Sequence, residues 1–184
     1  MLLAIPYGIT TSYVALYAQE IHISGSMGLF FSLMALGLIA SRTFAGSMVD
    51  KGKLTQVIAY GTLVVMFSFF IFSSLGLVAE RYQSLASVLF FGVSFLLGMG
   101  YGMLFPAYNT LFVNLAPNNR RATASSTYLT SWDVGIGIGL VFGGSLADLS
   151  GFPLAYFVGA VLVAFSVLFF VTVATPAFNR NKLR

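Results

Sequence analysis

Apolar residues run through this chain in long blocks, each broken off by a few polar or charged positions. Six blocks reach the length of a bilayer-crossing helix, which takes about 20 apolar residues within a range of roughly 17 to 25. They are Leu2 to Ala18, Gly28 to Met48, Leu54 to Ala79, Leu85 to Leu115, Ala122 to Ala147 and Phe152 to Ala174. Only Arg42 and Asp133 carry charge inside them, and every other ionisable side chain falls in a connection or in the tail. The pattern predicts an all-α, polytopic membrane protein of six transmembrane helices. The fourth block is longer than a membrane needs, and Pro106 within it marks a kink or an extension beyond the bilayer. Residues 1–175 are assigned to the bundle and 176–184 to a basic tail.

Composition excludes the main alternatives. Of 184 residues, 58% are hydrophobic and 8% charged, against roughly 25% charged in soluble domains. So few charges cannot coat a soluble globule. The 19 Phe and 9 Tyr are the reverse of a disordered composition. With no cysteine, there is no disulfide framework, thiolate metal site or Cys nucleophile.

The net charge of +4 looks like a nucleic-acid signal until the charges are sorted by side. One side carries Arg42 at its rim, Lys51, Lys53, Arg120, Arg121, Arg180, Lys182 and Arg184, with Asp50 as its acid. The other carries Arg81 with Glu20, Glu80, Asp148 and His22. Excess Lys and Arg mark the cytoplasmic side, so both termini are expected in the cytoplasm of a multi-pass cell-membrane protein that does not bind nucleic acid. No basic residues precede the first apolar block and no small-residue cleavage site follows it, so no removable signal peptide is expected. The first block is short and starts inside a helix, as expected of a piece of a longer protein.

The chain also repeats itself. FAGSMVDKG, Phe44 to Gly52, matches FGGSLADLSG, Phe142 to Gly151, at Phe, Gly, Ser and Asp with an offset of 98 residues. The following blocks, from Leu54 and Phe152, keep that offset. One copy ends at the basic side and the other at the opposite side, as in two three-helix units of inverted orientation.

These residues resemble the carboxy-terminal half of a major facilitator superfamily transporter. RTFAGSMVDKGKL, Arg42 to Leu54, is similar to the signature of the cytoplasmic loop between the second and third helices of each half, with Gly46, Asp50, Lys51, Gly52 and Lys53 filling it. One residue is missing between Lys51 and Gly52 relative to the usual spacing. GMGYGMLFP, Gly98 to Pro106, and the run from Asn114 to Gly144 are similar to the tenth and eleventh helices of the drug-and-metabolite proton antiporter branch. The resemblance implies half of a twelve-helix fold, a partner half of six amino-terminal helices, and a cavity between the halves for a small-molecule substrate. It implies rocking between two access states, with the proton gradient as energy source and no cofactor. It also implies that Asp50 caps the start of a neighbouring helix near Ala122 and pairs with nearby Arg, so that Arg42, Gly46, Asp50 and Lys51 form a cytoplasmic gate.

Asp133 is the sharpest single feature. Counting from Ala122 at 1.5 Å per residue places it ~16 Å into a core about 30 Å thick. An ionisable group at that depth is a functional candidate, here for proton uptake or for pairing with a cationic substrate. Ser126, Thr130 and Gly137 share its face. Thr10, Tyr13, Asn109 and Thr130 are expected to line the cavity, and Tyr17 to anchor its helix at the membrane interface. Packing accounts for Tyr101 and Tyr108, and core or lipid contact for Tyr128 and Trp132. Gly135, Gly139 and Gly143, like Gly98 and Gly102, recur every four residues and suit close helix approach.

Proton-coupled efflux of drugs or metabolites is the leading reading. Uptake of a sugar or organic acid is the alternative within transport, and a stand-alone six-helix protein that dimerises is the alternative outside it. An enzyme is disfavoured: the only histidine is His22 in a loop, and no acid cluster exists to hold a metal.

Overall fold

A computed structural model describes residues 1–183. Six long helices dominate it: α1 (Ala4–Glu20), α2 (Met27–Asp50), α3 (Leu54–Arg81), α4 (Gln83–Asn114), α5 (Arg121–Ser150) and α6 (Phe152–Phe169). A π-helical turn, Phe170–Ala174, leads from α6 into α7 (Thr175–Asn181), and a 3-10 turn, Asn118–Arg120, precedes α5. No strand occurs among the described residues. The expected boundary at residue 175 is crossed by helix. Phe178 of α7 is buried, and the Leu183 N–H donates to the Asn114 carbonyl at 3.0 Å, tying the tail to the end of α4. Arg184, the last base of that tail, lies outside the described residues.

Helix ends follow local chemistry. The Ser26 hydroxyl accepts from the Gly28 N–H at 3.1 Å and starts α2. Gly52 (φ 75°) and Gly151 (φ 80°) stand in the left-handed region and turn the chain after α2 and α5. At Pro106 the helix α4 continues without a break, although proline removes one donor.

Five of the helices are long and apolar enough to cross a membrane, and α1, with 17 residues, stands at the lower limit. Large apolar side chains cover the outside, among them Leu77, Val88, Phe67 and Phe165, each at least 60% exposed. A surface of that kind is stable only in hydrocarbon.

The principal packing partners are α2 with α4, α3 with α4 and α6, and α1 with α5. Glycines set the closest of these approaches. A Cβ on Gly98 would collide with the Met34 backbone of α2, and one on Gly37 with the Phe95 carbonyl of α4. Between α1 and α5, Gly8 faces the Ile136 backbone and Gly139 faces that of Ile5. Without a hydrophobic driving force between helices in lipid, such close backbone contact supplies much of the association. Toward the acidic end, Tyr17, Phe30, Phe72, Phe90 and Tyr156 form a ring cluster at the centre of the bundle, with centroids 4.9 to 6.1 Å apart.

Tyr17 is therefore a core residue and not an interfacial anchor. It is fully buried, and its hydroxyl donates to the Phe72 carbonyl at 2.6 Å, so the polar tip that would seek the headgroup layer is satisfied inside.

Candidate functional site: a cavity between α2, α4 and α5

A cavity of about 770 Å³ opens where α2, α4 and α5 diverge toward the basic end. Arg42, Ala45, Gly46, Val49 and Asp50 line it from α2, one stripe at helical spacing. Met103, Phe105, Pro106, Asn109 and Thr110 contribute from α4, and Ser125, Tyr128, Leu129 and Trp132 from α5. The wall is mostly apolar and aromatic, with a few polar groups, which is the usual make-up of a small-molecule site. Phe105 meets Trp132 edge to face at 4.6 Å, backed by Tyr101 and Tyr7. Four rings from three helices thus stiffen the inner end. The Ser125 hydroxyl donates to the Asn109 side-chain oxygen at 2.5 Å and joins α5 to α4 within the wall.

The expected site residues divide on this geometry. Asn109 lies on the cavity wall, as do Arg42, Gly46 and Asp50. Lys51 follows Asp50, exposed and outside the wall. Neither Arg42 nor Asp50 has an ion-pair partner among the described residues, and the expected cap of α5 by Asp50 is absent there. A Cβ on Gly46 would meet nothing within 4 Å.

Asp133 is exposed on α5, with Ser126, Thr130 and Gly137 exposed on the same face. It lies one helical turn beyond Leu129, so its face borders the cavity and continues away from the basic end. Thr130 belongs to this face and not to the cavity wall.

Thr10 and Tyr13 are not among the residues that line this cavity between α2, α4 and α5. Thr10 is fully buried and its hydroxyl donates to the Pro6 carbonyl one turn back at 3.0 Å, so its polarity is consumed within its own helix. The Tyr13 hydroxyl donates to the Leu140 carbonyl of α5 at 2.7 Å, in space that Gly144 leaves free. Both residues serve helix packing.

Phe105, Tyr128 and Trp132 stand on the wall of this cavity. Tyr128 and Trp132 are spaced i, i+4 in α5, but in the sequence of a membrane helix an aromatic toward lipid, core or cavity reads the same.

At the acidic end a second cavity of about 390 Å³ includes Glu20, His22, Glu80 and Gln83. Its polar groups are largely structural. Gln83 donates to the Ile21 and His22 carbonyls at 3.0 and 2.6 Å. Glu20 accepts from the Phe152 N–H at 3.4 Å, an anion at the start of α6. Among the described residues no three His, Asp or Glu side chains converge to hold a metal.

A bundle of long apolar helices with an apolar outer surface and a concave cavity open at one end defines an integral membrane protein. The chain belongs to the Major Facilitator Superfamily, whose family model matches residues 1–183. It is similar to the staphylopine export protein of Staphylococcus aureus, with 22% identity over 94% of this chain and 42% of that protein. It is also similar to an uncharacterised MFS-type transporter of Methanocaldococcus jannaschii, with 26% identity over 95% of this chain and 44% of the other. The quinolone resistance protein NorA of S. aureus shares 24% identity over 92% and 42%. The chain thus spans less than half the length of the curated relatives it matches.

Proposed function

We propose that this chain is the carboxy-terminal half of a secondary active transporter that exports drugs or small metabolites in exchange for protons by alternating access. An amino-terminal half of six helices completes the substrate cavity, the lipid bilayer surrounds both halves, and the proton gradient supplies the energy. The substrate is moved and not chemically changed. The name of the staphylopine relative favours export.

The observation that carries this reading is Asp133: a carboxylate midway along an apolar helix, unpaired among the described residues, on an exposed polar face that borders an aromatic cavity. A carboxylate is costly in lipid. On the face that meets the second half it becomes the proton-coupling group, with Thr130 beside it and Asn109 on the neighbouring wall.

Two further arrangements support the design. The inverted repeat is favoured by the helix contacts. A Cβ on Gly37 would meet Met99 and one on Gly135 would meet Met1, and moving Gly37 forward and Met99 back by 98 residues carries the first pair onto the second. α3 and α6 begin at Leu54 and Phe152, the same shift apart. The cytoplasmic gate is favoured by Arg42, Gly46 and Asp50 standing at the cavity rim with Lys51 next to them. Arg121, at the start of α5, has two buried guanidinium nitrogens without a partner among the described residues, donors that the Asp50 carboxylate at the end of α2 would satisfy when the gate closes. Placing the basic end in the cytoplasm puts both termini there.

The test is flux in proteoliposomes holding the complete transporter, driven by a pH jump and screened with cationic dyes and common metabolites. Asp133→Asn is expected to abolish pH-driven flux while substrate exchange at equal pH continues. Unchanged pH-driven flux in that variant would remove Asp133 from the mechanism.

A further inference from the structure

The α2 wall of the wide cavity carries a cation without a counter-charge. Two close approaches fix its height in the bundle. A Cβ on Gly98 would meet Met34 and one on Gly102 would meet Leu38, each pair 64 residues apart. One turn further along both helices, the same register sets Arg42 level with Pro106, between Phe105 and Asn109. Asp50, the acid of this wall, lies eight residues beyond Arg42, ~12 Å nearer the mouth. Arg42 is exposed, and it has no ion-pair partner among the described residues. An arginine within an apolar span is costly, by about 2.5–3.5 kcal/mol on insertion scales, and marks a position whose partner has to be named. The groups at its level are of two kinds. The Ser125 hydroxyl is committed to the Asn109 side-chain oxygen and the Thr110 hydroxyl to the Pro106 carbonyl, which leaves the Asn109 amide nitrogen as a donor without a partner among the described residues. The remainder is apolar: Phe105 and Met103 are half-buried and Leu129 is exposed.

We propose that the transported solute is an amphipathic organic anion, a carboxylate on an apolar ring, whose carboxylate pairs with Arg42 while the ring lies against Phe105, Met103 and Leu129. The inference names the substrate class of the export reading and rests on it. The planar guanidinium fork meets both oxygens of a carboxylate, and the Asn109 amide adds a neutral donor on the same wall. Methionine adapts to the outline of a ring, and phenylalanine offers it an edge or a face. A neutral or cationic solute would leave Arg42 as costly as it is in the empty cavity. An acid supplied by the amino-terminal half is the competing partner for Arg42, and it predicts no preference for an anionic solute.

The test is equilibrium binding to the complete transporter in phosphatidylcholine nanodiscs at neutral pH, with uptake by empty nanodiscs subtracted. The probes are radiolabelled 2-naphthoate and 2-naphthamide, which share an outline and a carbonyl and differ in charge. Naphthoate is expected to bind at least about 10-fold more tightly, the order of a charge-assisted hydrogen bond. Arg42→Gln should bring naphthoate to the level of naphthamide and leave naphthamide unchanged, which also shows that the variant is folded. Arg42→Lys, which keeps the charge but loses the fork, should retain part of the preference.

Equal affinities in the parent would assign Arg42 to a protein carboxylate and overturn the proposal. So would a naphthoate preference that survives Arg42→Gln, or an equal loss of both probes in that variant, the result expected of an arginine that acts only in the gate. If Arg42→Gln fails to fold, Arg42→Lys decides, because it must weaken naphthoate alone. Binding is read without a gradient, so the constants do not depend on transport. Naphthoate flux after a pH jump is measured separately, and a probe that binds through Arg42 but is not moved would refute its place as the transported solute.

Discussion

Alanine at Gly98 tests whether backbone contact between α2 and α4 holds the bundle together. The added Cβ would lie 2.8 Å from the Met34 carbonyl carbon and 3.0 Å from its Cα, and closer still to the carbonyl oxygen. All three are backbone atoms, so no rotamer change relieves the clash and the two helices must separate by roughly 1 Å. A gap of that size forfeits about a quarter to a half of the dispersion attraction of the atoms facing it, here including Met34 and Leu97, both buried. Overpacking of this kind costs about 1–3 kcal/mol, partly offset by a gain of about 1 kcal/mol in helix propensity. Gly92 supplies the control. It lies in the same helix, and a Cβ there would meet nothing within 4 Å, so Gly92→Ala should gain about 0.5–1 kcal/mol. The propensity gain is common to both variants, so they should differ by about 1–3 kcal/mol, or roughly 2–12 °C in midpoint for a chain of this size. Thermal unfolding in detergent, followed by circular dichroism at 222 nm, measures the difference. Equal midpoints would refute the claim that this glycine is required by close approach.

Tyr17→Phe removes the buried hydrogen bond to the Phe72 carbonyl and should lower stability by about 1 kcal/mol, seen as a midpoint drop of about 2–4 °C; an interfacial anchor would show almost none. Gly46→Leu enters open space at the cavity rim and should leave the stability of this chain within about 0.5 kcal/mol. In the assembled transporter the same change should cut flux at least ~10-fold, an effect of about 1.4 kcal/mol on the transition between access states, because the second half must approach that surface. Normal flux would take Gly46 out of the gate.

Helix number and most boundaries were legible because hydrocarbon length and the placement of charge constrain them tightly: Ser26, Gly52 and Gly151 fall where the apolar blocks stop. The family was legible in the segment from Arg42 to Leu54 and in the glycine-rich runs. Side-chain direction was much less so. In water a helix shows its buried face by apolar periodicity, but in lipid the outward face is apolar too, and the period no longer separates core from surface. Polar residues then draw attention, and a hydroxyl can bond within its own helix: Thr10 does this with Pro6 and says nothing of a cavity. The aromatic part of the cavity wall falls to Phe105, Tyr128 and Trp132, which in sequence look like any other membrane aromatics. Asp133 stood out because a carboxylate has no ordinary place in hydrocarbon, and the structure does set it on an exposed polar face.

The pairing of α1 with α5 has a consequence for how the protein is made. α1 packs chiefly against α5 and α6, and the glycines it fits, Gly135 and Gly139, are synthesised more than 100 residues after it. At about 5–20 residues per second the ribosome needs roughly 5–20 s to deliver them. During that interval α1 stands in the membrane beside α2 and α3 without its matching surface, with Gly8 turned toward lipid or toward an insertion chaperone. The earliest-made helix of this bundle is therefore among the last of its helices to be locked in place, and a nascent chain stopped after α3 contains no finished half of this bundle.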